Sequence, residues 1–137
     1  MRADVDKEQW SESSKQSYAY QAVKHCYEDI HYVCRKCGKA SVFPGEEQKI
    51  AFEVKKHYIW QRRVLCPDCN GMLFALRVAH REFEARWAAE RRELSRDLIF
   101  LRAWQAVLAA FPAYGSRVGG ALGKRVAHLI AESEMRN

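Results

Sequence analysis

Apolar positions are spaced differently in successive parts of the chain, and each spacing predicts a different element. Residues 1–23 are polar, rich in Ser, Lys, Gln and Glu, and Tyr18, Tyr20 and Val23 arrive only late. They predict a flexible polar arm with one short helix capped by Ser13 or Ser14. Ile30-His31-Tyr32-Val33 is β-branched and aromatic and predicts a strand. Ala40-Ser41-Val42-Phe43 predicts its antiparallel partner, with Cys37-Gly38 at the turn. Pro44-Gly45 breaks the chain. Residues 46–56 read as a short helix with Glu46 and Glu47 in the first turn and Lys55 and Lys56 in the last, as the helix dipole favours. Arg63-Val64-Leu65 predicts a further short strand leading into Cys66.

The period then lengthens. No Gly or Pro interrupts residues 72–111. A heptad seam runs through Leu73, Leu76, His80, Phe83, Trp87, Glu90, Leu94, Asp97, Leu101, Trp104, Leu108 and Phe111, and only His80, Glu90 and Asp97 in it are polar. Glu90 and Asp97 bracket Arg91-Arg92-Glu93 and Ser95, and Ser95 is a candidate N-cap, so the region reads as one long helix or a bent pair. Glu82–Arg86 and Arg86–Glu90 are opposite-charge pairs at i,i+4 on this helix. After Pro112, Val118, Leu122, Val126, Leu129 and Ile130 recur with helical spacing and predict a last amphipathic helix, weakened by Gly119, Gly120 and Gly123.

Composition narrows the class. The chain has 137 residues, of which 48% are hydrophobic and 29% charged, a globular composition for about one domain. The best candidate for a membrane span, residues 98–114, carries Arg102 and Pro112, and no run reaches the ~18 apolar residues a span needs. The N-terminus has neither the apolar core of a secretory signal nor the acid-poor composition of a transit peptide. A cytoplasmic location, where thiols stay reduced, is the expectation. The formal charge of +6 speaks to solubility and attraction to polyanions and not to fold.

The five cysteines change the picture most. Cys34-Arg35-Lys36-Cys37-Gly38 and Cys66-Pro67-Asp68-Cys69 form two CxxC knuckles. Two intervening residues let a tight turn aim both sulfurs at one ion, and four thiolates satisfy tetrahedral zinc completely. The gap between the knuckles exceeds the usual ~15–20 residues, and the helix and strand predicted within it explain its length. Such a site has no open position for water or substrate, so one structural Zn²⁺ is the expected cofactor, and its binding energy acts as folding energy. Four thiolates and Zn²⁺ together carry −2, which lowers the chain's charge to about +4. A thioredoxin-like motif fits poorly, because that chemistry uses one CxxC in a βαβ context.

His31-Tyr32-Val33-Cys34-Arg35-Lys36-Cys37-Gly38-Lys39, with Val42-Phe43, Glu46-Glu47-Gln48 and Arg63-Val64-Leu65-Cys66-Pro67-Asp68-Cys69, resembles the small bacterial "probable zinc-ribbon" domains over about residues 30–70. The resemblance implies zinc on Cys34, Cys37, Cys66 and Cys69 and says little about biological role. The knuckles are also similar to those of rubredoxins, which implies an electron carrier as a distant alternative. Lys39 stands where an aromatic usually follows that glycine, and the intervening segment is basic and helix-forming instead of acidic and loop-rich.

Other groups carry weaker chemistry. Cys26 reads as a half-buried bystander, and His25, His31 and His57 are unneeded as ligands. His80 on the seam reads as a hydrogen-bonded core or edge residue, and His128 as a solvated one. Gly119-Gly120-Ala121-Leu122-Gly123-Lys124-Arg125 fails the phosphate-loop template, since Arg125 stands where Ser or Thr must hold magnesium. Lys55, Lys56, Trp60, Arg62 and Arg63 interleave cations with an aromatic, a pattern that can attract phosphates and stack bases.

The expected fold is α+β. A flexible arm (1–23) precedes a small four-cysteine zinc ribbon (24–70) of short antiparallel strands and one short helix. A helical region (71–137) follows. The expected function is non-enzymatic: the ribbon supports a helical surface, Leu76, Phe83, Trp87, Leu94, Leu101 and Trp104, for a protein partner or self-association. A nucleic-acid-binding ribbon of transcription or translation type is the alternative.

Overall fold

The computed structural model describes residues 3–22 and 25–136, so the expected boundary at residues 23 and 24 lies outside the described residues. Backbone contacts divide the chain into two compact units. One takes in the chain up to Cys34 together with Gly38–Cys66, and the other takes in Arg35–Cys37 and the chain from Pro67 onward.

The first unit holds two small antiparallel sheets. Strand β1 (Ala3–Asp4) pairs with β2 (Cys26–Tyr27) in the register Ala3 to Tyr27 and Asp4 to Cys26. Strand β3 (Ile30–Val33) pairs with β4 (Ala40–Phe43) from Ile30 opposite Phe43 to Val33 opposite Ala40, as the pattern predicts. Helices α1 (Glu12–Lys15) and α2 (Tyr18–Gln21) precede β2, and α3 (Gly45–Lys49) follows β4. A single wider π-type turn, Ile50–Val54, prolongs α3. This helical stretch ends before the two lysines expected in its last turn, because Lys56 adopts a left-handed conformation (φ 59°). The His57 amide closes the end by donating to the Ala51 carbonyl (2.8 Å).

The polarity of residues 1–23 does not keep the described part of them out of the fold. Trp10 is buried with Tyr27, Phe43, Ala51 and Phe52. Its indole N–H donates to the Tyr27 hydroxyl (2.7 Å), and burial pushes the Tyr27 phenol well above its ordinary pKa. Ser14 is fully buried, and its hydroxyl oxygen accepts the Ile59 amide (2.8 Å). The cap of α1 is Ser11, whose oxygen accepts the Ser14 amide (3.2 Å), and not Ser13 or Ser14.

The second unit is helical: α4 (Pro67–Leu94), α5 (Leu98–Ala110) and α6 (Gly120–Arg136). Trp87, Leu94, Phe100, Leu101, Trp104, Leu108, Val126 and Ile130 form its core, with Phe83, Leu98, Leu122 and Leu129 against it. The region is a bent pair, as one of the two expectations had it. Glu90 leaves helical geometry (φ −131°, ψ 30°), which kinks α4 at the first polar break in the seam. The second break, Asp97, caps α5 by accepting the Phe100 amide (3.1 Å). Ser95, the expected cap, instead donates to the Arg92 carbonyl (2.9 Å), and its own carbonyl accepts the Ser133 hydroxyl (3.2 Å). His80 is buried as expected: its Nδ1 accepts the Trp104 indole N–H (3.1 Å), leaving Nε2 to face Glu84 (3.2 Å). Among the described residues no helix is long and apolar enough to cross a membrane.

Two glycines at the start of α6 have opposite roles. Gly119 has φ +76°, and a Cβ there would lie 2.4 Å from Leu108 Cδ2 in the core. A Cβ on Gly123, inside α6, would meet nothing within 4 Å. Gly119→Ala should therefore lower stability by about 1–3 kcal/mol. Gly123→Ala should raise it by about 0.5–1 kcal/mol. Urea unfolding of both variants checks the pair, and equal shifts in one direction would contradict this account.

Candidate metal centre

The first knuckle is built by the β3–β4 hairpin. Beyond Val33 the chain turns through Cys34–Lys39, with the Cys34 amide donating to the Lys39 carbonyl (2.9 Å) and the Gly38 amide to the Cys34 carbonyl (3.0 Å). Gly38 sits at φ +77°, a left-handed conformation that only glycine adopts at no steric cost. The loop presents Cys34 and Cys37, the one buried and the other exposed.

The second knuckle is the start of a helix. Cys66 immediately precedes Pro67, whose fixed φ suits the first helical position, and Cys69 lies in the first turn of α4. The amides of a first turn have no intrahelical acceptor, and the helix dipole is positive there.

The expected strand Arg63-Val64-Leu65 does not form. Side chains anchor this segment instead. The Tyr32 hydroxyl on β3 donates to the Leu65 carbonyl (3.0 Å), and Leu65 is buried. The Arg63 guanidinium lies 3.8 Å from the centre of the Phe43 ring and pairs with Glu47 of α3 (2.8 Å). β3, β4 and α3 thereby fix the approach to Cys66.

The ligand atoms of Cys34, Cys37, Cys66 and Cys69 lie within 4.8 Å of one another. A tetrahedral ion with metal–sulfur bonds of about 2.3 Å holds its sulfurs about 3.8 Å apart, so the cluster fits one Zn²⁺. Three of the four cysteines are buried, and among the described residues no other group of His, Cys, Asp and Glu is arranged to hold a metal. The three histidines near the segment take no part in the cluster, and Cys26, half-buried on β2, stands outside it. Arg35 and Lys36, between the first two ligands, set cations beside a centre that carries −2.

The remaining candidate residues are placed differently from one another. Of the basic and aromatic group, Arg63 is committed to Phe43 and Glu47, and the Lys56 ammonium donates to the Gln9 carbonyl. Trp60 is 43% exposed with Arg62 over its ring (5.5 Å), and Lys55 is exposed. Of the expected helical surface, Trp87, Leu94, Leu101 and Trp104 are core residues, Phe83 packs on that core and Leu76 is half-buried. Most of that surface is thus taken up by packing within the helical unit, where α5 and α6 supply its partners. Tyr58, between the same cations in sequence but not among the candidate residues, is 44% exposed in the same turn as Trp60.

Cys34→Ser should abolish stoichiometric zinc binding and unfold the knuckle region, whereas Cys26→Ser should leave one zinc and the melting temperature unchanged. Native mass spectrometry with thermal melting checks both. Retention of zinc and stability by Cys34→Ser would overturn the ligand assignment.

No curated protein and no solved structure matches the chain. Residues 28–72 match the family model described as "Probable treble clef domain", a span that holds both knuckles and ends in the first turns of α4. Over that segment, which is close to the expected 30–70, the chain is similar to a treble clef zinc-binding domain with Cys34, Cys37, Cys66 and Cys69 as its metal ligands.

Proposed function

We propose that the protein is a non-enzymatic, cytoplasmic zinc-binding protein that works by holding a macromolecular partner on its surface. The donor set supports this reading more than any other observation. Four thiolates close a tetrahedral zinc, so the ion has no position at which to activate water or polarise a substrate. Zinc then contributes folding energy to a segment whose strands are only four residues long. An electron carrier with iron at the same cysteines is less well supported. Its relatives are loop-rich between the knuckles, whereas here α3 and its π-type extension occupy that interval.

Cobalt substitution tests the reading. Co²⁺ in place of zinc should give a tetrahedral tetrathiolate spectrum that added cyanide or azide leaves unchanged. A spectrum that shifts with either anion would reveal an open coordination position and overturn the structural assignment.

A further inference from the structure

We propose that the turn Tyr58–Gln61 is a binding site for single-stranded nucleic acid, with Tyr58 and Trp60 stacking on bases and Lys55 and Arg62 meeting phosphates. This rests on the reading that the protein acts by binding a partner, and it names the partner's chemistry.

The backbone of the turn is held from inside the first unit. The Gln61 amide donates to the Tyr58 carbonyl (2.9 Å), which closes the turn. Ile59 at its tip packs against the core cluster of Trp10, Tyr27, Phe43 and Phe52, and its amide donates to the buried Ser14 hydroxyl (2.8 Å). The residues on either side of Ile59 stay accessible: Tyr58 is 44% and Trp60 43% exposed. Large aromatics left in water on a pinned turn are a stacking platform, since every base has a face to offer and little entropy remains to be lost.

Charge points to the same partner. From Val54 to Val64 the sequence holds no acidic residue. All four cations are exposed, but Lys56 donates to the Gln9 carbonyl and Arg63 pairs with Glu47, so Lys55 and Arg62 are the ones beside the aromatics not drawn into such a contact. Arg62 covers one face of Trp60, a cation that can meet a phosphate while the indole meets the adjoining base.

The probes are short fluorescein-labelled single strands of mixed sequence, DNA and RNA, with the matching duplex and heparin as comparisons. The zinc-loaded full chain should bind single strands at low salt and prefer them to heparin. Trp60→Ala should weaken binding roughly five- to hundred-fold without changing affinity for heparin. Arg62→Gln should reduce the slope of log affinity against log salt by about 0.7. Trp10, Trp87 and Trp104 are nearly buried, so quenching of the exposed tryptophan emission reports Trp60, and Trp60→Phe should remove it.

Absence of single-strand binding at low salt would overturn the proposal, as would equal affinity for heparin that Trp60→Ala leaves intact. Loss of self-association in Trp60→Ala with no oligonucleotide binding would assign the turn to a protein contact and equally overturn it. Zinc content and melting temperature are measured for each variant. Wild-type values for both, with no oligonucleotide bound, would defeat this site alone and leave the structural-zinc reading standing.

Discussion

The structure of residues 28–72 depends on four sulfurs converging to within 4.8 Å. Four sulfurs at that spacing form a donor set for one cation, whose charge offsets the repulsion that the ligating thiolates would otherwise exert on one another. The protein elements there are weak without it. A hairpin of two four-residue strands is marginal in water, and the buried cluster around Trp10 and Phe52 is small. Zinc binding thus acts as folding energy for this segment, and the ligand positions follow from local backbone chemistry: a left-handed Gly38 closes one knuckle, and Pro67 starts the helix that carries the other.

Adjacent cations have separate fates, and contact geometry decides which. Arg62 and Arg63 are neighbours in sequence. Arg63 lies over the Phe43 ring and pairs with the Glu47 carboxylate, where it holds the approach to Cys66. Arg62 faces outward over Trp60. A net charge of +6 does not distinguish them, and neither does their common setting in a basic run. One is a structural brace, and the other keeps its charge available to solvent and to ligands.

The metal site was legible before any fold was known, because CxxC spacing encodes the chemistry in residues that are neighbours in the chain. The β3–β4 register was legible for a similar reason: β-branched runs flank a glycine turn. The long heptad seam was visible too, but its use was not. Nothing in a periodic stripe says whether its partner belongs to the same chain, and here α5 and α6 cover it. Asp97 was hidden because it counted as a defect in the seam when it was the cap of α5. Trp10 was hidden in a polar stretch, although a lone tryptophan among Ser, Lys and Glu is an unusual residue to leave in water. The strand expected at 63–65 failed because its anchoring is by side chains, which pattern rules for backbone pairing do not register.

With four thiolates around the metal and most of the apolar seam packed inside the helical unit, the exposed aromatics gain interest. Exposed apolar residues occur singly on every protein and mean little alone. What distinguishes Tyr58 and Trp60 is that their backbone is not free to turn them inward. Ile59 between them is half-buried against the core, and Ser14 fixes its amide. With Ile59 held against the core, the flanking side chains keep part of their surface in solvent. Polar residues would satisfy that geometry at no cost, and Ser, Asn and Gly are the usual occupants of such positions. Two aromatics there leave apolar surface in water, and a ligand that covers their faces is the physical circumstance in which that surface is buried.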